Sequence, residues 1–422
     1  MKKYFLAVAS FFIYSHISLG QVYPGQMDST FVPVRSHHYD PELTFDFCVN
    51  EPAWSNQAGI HSAFGSTDRL YFRKEVPVNH DNDLSSSYST TVWRGERANA
   101  QILVWSSEAL EQVRVSTQDL RSAEGNIIPK DRITFELVRY VLSNYPYAEK
   151  KAICGESPYK SGFLMPDRFE TLDRFDLPSQ TTRPVWMMVD VPRGTVPGTY
   201  KGQVEVRAKG KAPQLLNLEI VVQNQLLPYP KDWKYRLDLW QNPWAVAWYN
   251  HVEPWSPEHK MLLKQHLKHY ADAGGTYITT YGVHSPWSDN SYMIEGGMIE
   301  WIKKADGTWA FDYKIFDEYV ELAMECGIDE AITLYTPIPW GFRHRYKDEA
   351  TGDYSYINWA PSSEEFKKMW NIFLTDFKFH LEAKSWLDIT YIGINENPME
   401  ETLAAINVVR NHDKCWKITY AG

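Results

Sequence analysis

Between Gly198 and Ala208 the chain alternates with period two. Tyr200, Gly202, Val204, Val206 and Ala208 take one set of positions, and Lys201, Gln203, Glu205 and Arg207 take the other. The segment LLNLEIVVQN repeats the pattern with Leu216, Leu218, Ile220 and Val222, and the intervening KGKAPQ carries Gly and Pro. Alternation on both sides of a turn predicts a half-buried antiparallel hairpin. RANAQILVW and RPVWMMVDVP read as further strands. Residues 21–230 are therefore expected to form a β-sandwich-type accessory domain. Within it, residues 21–90 are rich in loop formers and give no clear period.

At NQLLPYPKDW two prolines and a polar turn interrupt the chain, and the period changes. Strands are expected at Tyr235–Trp240, Tyr277–Val283, Glu330–Pro337, in ITYIGINE and in WKITYAG. Helices are expected between them. SPEHKMLLKQHLKHYADAGG has Ser256 as N-cap, Pro257 at the first helical position and a Gly pair as its stop. YKIFDEYVELAMECG gives a second helix. SSEEFKKMWNIFLTDFKFHLEAK carries Phe366, Met369, Trp370, Phe373, Phe377 and Leu381 on one stripe. PMEETLAAINVVRN gives the last helix, with Asn397 as N-cap, Pro398 as its first residue and Glu400 closing a capping box.

Alternating strands and helices mean a parallel sheet. No Gly-rich phosphate turn follows the first strand, which disfavours a doubly wound dinucleotide fold. Residues 231–422 are expected to be the N-terminal part of a (β/α)8 TIM-type barrel. About five strands fit, and the segment is shorter than the roughly 250 residues of a typical whole barrel. The chain is thus expected to be part of a longer protein.

The first 20 residues read as a bacterial-type export signal. Lys2 and Lys3 precede a short apolar run, and small residues Ser18 and Gly20 mark a cleavage point before Gln21. The expected location is periplasmic or secreted, without a stable membrane span. The formal charge of −10 is spread along the 422 residues with no basic block, which argues against nucleic acid as a partner. Cys48, Cys154, Cys326 and Cys415 are widely spaced. They form no metal-binding motif and are expected as buried free thiols. No metal or organic cofactor is implied.

The candidate chemistry lies in YIGINENPMEE. Working residues of parallel barrels sit at the C-terminal ends of strands. Asn395 and Glu396 hold that place on the expected fourth strand of the barrel segment. Glu400 and Glu401 are explained by the positive end of the following helix, whereas Glu396 is not. Adjacent strand residues face opposite ways, so Asn395 and Glu396 can share a pocket only if the strand ends or bends there. Most of the 17 tryptophans fall in the second domain. Trp240, Trp244, Trp248, Trp255, Trp287, Trp340 and Trp359 lie at strand ends or in the connections after them, and Gln241, Tyr281, His284 and Tyr335 lie at strand ends as well. Such rings stack on sugar faces, and indole N–H groups donate to hydroxyls. The expected partner is a glycan or glycoconjugate substrate.

TYIGINENPMEETLAAI resembles the acid-bearing segment of glycoside hydrolase family 123, a group of exported bacterial β-N-acetylgalactosaminidases and their kin. VWRGERANAQILVW and RPVWMMVDVPRGTVPGTYKGQVEV resemble the sandwich preceding the barrel in that group. The resemblance implies hydrolysis of a β-linked N-acetylhexosamine, most simply N-acetylgalactosamine, by attack of the substrate's own acetamido oxygen. It also implies that Glu396 is the acid/base and that Asn395 stands where the family has Asp. Two alternatives stay open. One is a retaining glycosidase in which Asn395 binds a 2-hydroxyl and a nucleophile lies outside this chain. The other is a protein that binds glycans without cutting them.

Overall fold

The computed structural model describes residues 51–78, 84–143, 163–235, 237–287 and 296–421. The export signal, Cys48 and Cys154 lie outside the described residues. The chain divides into two compact units, residues 1–227 and 228–422.

Twelve strands are described in the first unit: β1 His61–Gly65, β2 Ser87–Arg94, β3 Arg97–Ser106, β4 Leu110–Thr117, β5 Leu120–Arg121, β6 Ile127–Ile128, β7 Ile133–Ser143, β8 Phe163–Thr171, β9 Phe175–Leu177, β10 Thr181–Asp190, β11 Gly198–Arg207 and β12 Gln214–Leu226. They form one sheet in the order β1-β3-β10-β7-β8 and another built on β2-β12-β11-β4-β9. The alternating segments pair as antiparallel β11 and β12, with Tyr200 opposite Ile220 and Val204 opposite Leu216. Their apolar faces join Ala100, Ile102 and Val104 of β3 and Val185 and Met187 of β10 in one buried cluster. A single residue of slip would turn these apolar sets outward, so the pattern fixes the register.

The second unit alternates helices with a parallel sheet. In chain order its elements are α1 Pro243–Asn250, α2 Pro257–Asp272, β13 Tyr277–Tyr281, β14 Glu300–Lys303, β15 Trp309–Asp312, α3 Lys314–Glu325, β16 Ala331–Tyr335, β17 Arg343–Asp348, β18 Tyr354–Asn358, α4 Glu364–Lys384, β19 Thr390–Ile394, α5 Met399–His412 and β20 Lys417–Tyr420. The parallel sheet runs β13-β16-β19-β20. Its register aligns Tyr281 with Tyr335, Tyr335 with Gly393 and Gly393 with Thr419. All six residues of the α4 stripe are buried. Ser256 and Ser363 cap α2 and α4 through side-chain oxygens that accept from His259 N and Phe366 N. No helix among the described residues is long and apolar enough to cross a membrane.

Three features differ from the sequence expectation. Among the described residues of the segment 235–240 no strand is formed; Leu237 makes one parallel bridge to Gly275. Its polar residues and exposed neighbours supply no second apolar face for a fully paired strand. Helix α5 starts at Met399 with Pro398 as N-cap and no side-chain cap. Asn397 instead donates through Nδ2 to the Ile338 carbonyl, 3.1 Å away. Cys326 is a buried free thiol, but Cys415 is exposed because it follows the end of α5 in the turn before β20.

A second small sheet, β15-β14-β17-β18, was not legible in the sequence. It joins a hairpin from the connection after β13 to a hairpin from the connection after β16. Trp301 of β14 is its anchor. The indole donates to the Gly282 carbonyl at 2.8 Å, and the ring packs among Phe311, Trp359, Trp370 and Phe373. This sheet fastens two strand-end connections to each other on the side where β13 and β16 end.

Candidate functional site

Strand β19 ends at Ile394, and the chain bends at Glu396. The two side chains are therefore released from strict alternation. Asn395 is buried at 1% exposure, whereas Glu396 is exposed and makes no hydrogen bond or ion pair among the described residues. The Asn395 main-chain N–H donates to Thr336 Oγ1 at 3.1 Å, which ties the end of β19 to the end of β16. Its Oδ1 accepts from Trp287 Nε1 at 3.1 Å. A buried carboxamide needs partners at both ends. Nδ2 has none among the described residues.

An aromatic group surrounds this amide. Trp240 stacks on Trp287 with ring centroids 4.9 Å apart, and its indole donates to Tyr335 Oη at 3.1 Å. Trp287 also meets the Tyr281 ring edge-on at 5.1 Å. Tyr335 is buried, and burial, with Asp238 adding to it, pushes its phenol up to about 12. The phenol stays protonated at neutral pH, so it keeps a proton to donate while accepting from Trp240. Its ring fits because residue 393 is Gly: a Cβ there would stand 2.9 Å from the Tyr335 ring and 3.0 Å from Thr333 Cγ2.

The expected sugar-facing residues divide into two groups. Asn395, Trp240, Trp287 and Tyr335 come together. Trp240 is the exposed member, at 46%. Tyr281 and Gln241 are used within the fold: Tyr281 Oη donates to the Gln241 carbonyl, while Gln241 Oε1 accepts from Thr279 N and Nε2 donates to the Leu239 carbonyl. Trp340 is half-buried against the core, with its indole nitrogen buried and without a partner among the described residues. Trp244 and Trp359 are buried packing residues, so these two rings support loops. Trp287, which the sequence placed only as one of the strand-end rings, is the one that touches Asn395. Its position after β13 was the only signal available.

His284 lies half-buried beyond β13. Burial foremost, then Arg345 and Arg343, lower its pKa to about 4, so its ring is neutral at neutral pH. Arg343 and Arg345 of β17 lie over the Tyr356 and Tyr354 rings of β18 at 3.8 and 4.1 Å. A cleft of about 530 Å³ opens beside them, lined by Trp255, Lys260, Glu300, Glu318, Arg345 and Lys347 among others. Among the described residues no group of three His, Cys, Asp or Glu side chains is arranged to hold a metal ion.

Comparison with known families gives two matches. The family described as Glycoside hydrolase 123, catalytic domain, matches residues 240–422. The family described as Glycoside hydrolase 123 N-terminal domain matches residues 64–208. Among solved structures, a family 123 glycoside hydrolase from Clostridium perfringens, described for glycolipid glycan hydrolysis, is similar at TM-score 0.76 and 26% identity. The alignment covers 86% of this chain and 64% of that one, so the chain spans less than two thirds of that enzyme's length. A Bacteroides ovatus GH5 xyloglucanase aligns over 80% of this chain and 53% of its own at 9% identity, but a TM-score of 0.17 carries no argument. No curated protein matches the chain.

Proposed function

The chain belongs to glycoside hydrolase family 123, and from that premise we propose that it serves a glycoside hydrolase releasing β-linked N-acetylhexosamine, N-acetylgalactosamine foremost. The observation that carries the reading is the asymmetric pair at the end of β19. Asn395 is buried and held at both main chain and side chain, whereas the next residue, Glu396, is exposed and unpaired among the described residues.

In the proposed reaction the protonated Glu396 carboxyl gives its proton to the glycosidic oxygen as the bond to C1 breaks. The substrate's acetamido oxygen forms a new bond to C1 from the opposite face, producing an oxazolinium ion. The Glu396 carboxylate then takes a proton from water, which attacks C1, reopens the ring and restores the acetamide and the original configuration. No protein nucleophile is required. Asn395 orients the C2 substituent, while Trp240, the exposed indole of the group, offers a stacking face for the sugar. An Asn in place of the family's Asp leaves the cationic intermediate without an adjacent negative charge. Loss of one such aimed contact commonly costs on the order of 10²–10³ in rate.

A second reading is favoured by one observation. Trp287 occupies the Asn395 oxygen, so the amide has N–H to offer, which suits a 2-hydroxyl oxygen. The test of the common core is hydrolysis of aryl β-glycosides by the chain within its full-length protein. Glu396→Gln is expected to lose at least 100-fold in kcat with the fold retained. Turnover equal to the parent would remove Glu396 from the chemistry. Strong inhibition by a thiazoline mimic of the oxazolinium ion distinguishes the first reading from the second.

A further inference from the structure

We infer that Trp287 is a positioning residue that decides which end of the Asn395 amide the sugar meets, and that it thereby sets preference at C2. The inference rests on the proposed pairing of Asn395 with Glu396.

An indole nitrogen can only donate a hydrogen bond. With Trp287 Nε1 3.1 Å from the Asn395 side chain and both residues buried, the amide oxygen must be the end turned toward Trp287. The amide nitrogen is then the other end, and it is buried without a partner among the described residues. A donor in that condition selects for an acceptor. The main chain of Asn395 is pinned by Thr336, so rotation of the amide is the freedom that remains. Trp287 is held in turn by its stack with Trp240 and its edge contact with Tyr281, and Trp240 is tied to Tyr335. The orientation of one amide is thus fixed by a chain of rings that begins on the parallel strands.

A carboxylate accepts at both oxygens, so turning it changes nothing for a ligand. An amide has one accepting and one donating end. With the Trp287 N–H in place, Asn395 offers a donor to an oxygen on C2. Without that N–H, the amide is free to turn its oxygen toward the N–H of a 2-acetamido group.

The experiment uses two aryl β-glycosides that differ only in bearing 2-acetamido or 2-hydroxyl, together with calorimetric binding of the two free sugars. Both are measured on the full-length parent, Trp287→Phe, Asn395→Asp, the double variant and Glu396→Gln. Phe keeps a ring in the stack and removes the donor. The ratio of kcat/KM for 2-acetamido over 2-hydroxyl, or the matching ratio of binding constants, is expected to rise about tenfold in Trp287→Phe. In the Asn395→Asp background the same change should move the ratio less than about threefold. Equal losses on both sugars would show a merely structural role and overturn the inference while leaving the hydrolase reading intact. A Glu396→Gln variant as active as the parent, or a protein that neither binds nor cleaves either sugar, would overturn both together. If Trp287→Phe does not fold, benzothienylalanine at position 287, a near-isostere with sulfur in place of N–H, gives the same comparison.

Discussion

At the scale of single residues, the site depends on where a side chain is missing. Gly393 lies between Tyr335 and Thr419 in register, and its lack of a Cβ lets the Tyr335 ring lie across β19. Gly393→Ala would press a methyl group against that ring at 2.9 Å. Neither side can yield freely, because Tyr335 is buried and hydrogen-bonded to Trp240. Overpacking of this kind costs about 1–3 kcal/mol. The expected outcome is a lower urea midpoint together with a drop in kcat/KM larger than the stability loss alone predicts, since Trp240 and Trp287 move with Tyr335. A variant with parental stability and turnover would show that the aromatic group does not depend on this contact. Part of this residue-level picture is legible in the sequence: Tyr335 ends β16, and Asn395 and Glu396 directly follow β19, as their positions predict, whereas Trp240 directly follows no strand among the described residues. The partners are not legible there. Which indole faces Asn395 depends on how one connection folds back across another, and no local period encodes that.

At the scale of elements, legibility followed cap chemistry and period. Helix α2 is legible from Ser256, Pro257 and the Gly pair that ends it, and α4 from the apolar stripe that runs along it. Helix α1, eight residues whose buried side chains are Pro243, Trp244 and Ala247, was hidden because it is too short to show a period and is almost uniformly apolar. Strands β14, β15, β17 and β18 are hidden because each is four to six residues long and only partly covered. Tertiary contact defines all of these elements. His259 illustrates how. Its Nδ1 accepts from Trp255 N at 2.8 Å and its Nε2 donates to the Pro243 carbonyl at 2.9 Å, which fixes the neutral tautomer and locks the start of α1 to α2. His259→Leu leaves the half-buried Trp255 N–H without its partner, at about 1–3 kcal/mol for the group left unsatisfied, and takes from the Pro243 carbonyl the bond that ties α1 to α2. Ser256→Ala removes only the cap and should cost about 1 kcal/mol. Chemical denaturation should rank the two variants in that order; the reverse ranking would mean that α2 relies on its cap rather than on its union with α1.

At the scale of the whole molecule, the second unit keeps several histidines neutral, and this gives its stability a defined dependence on pH. His344 is the strongest case. It is buried among Trp301, Trp359 and Trp370, and burial lowers its pKa from the ordinary 6.5 to about 4. Both ring nitrogens are committed. Trp370 Nε1 donates to Nε2 at 3.4 Å, so the ring proton sits on Nδ1 and is donated to the Phe342 carbonyl at 3.1 Å. A second proton on Nε2 would set two donors against each other in an apolar cluster. The unfolded chain takes up that proton near pH 6.5, and the folded chain takes it up only near pH 4. The unfolded state therefore binds more protons between these values, and stability falls as pH falls through that window. It is complete above pH 6.5 and reaches its lower plateau below about 4. The shift corresponds to about 3 kcal/mol. His284 shares this window, and burial lowers His259 and His412 in the same direction. Asp413, lowered to about 2 by Lys378 foremost, acts separately at still lower pH. Replacing His344 by Phe supplies a ring without a titrating group to a cluster already built of rings. Urea midpoints followed by tryptophan fluorescence at pH 7.5 and 4.5 should converge for His344→Phe by the part of the His344 share expressed between those values, about 2.5 kcal/mol, and leave the remaining slope to the other histidines. An unchanged slope would mean that His344 titrates normally and that the aromatic cluster around it admits water.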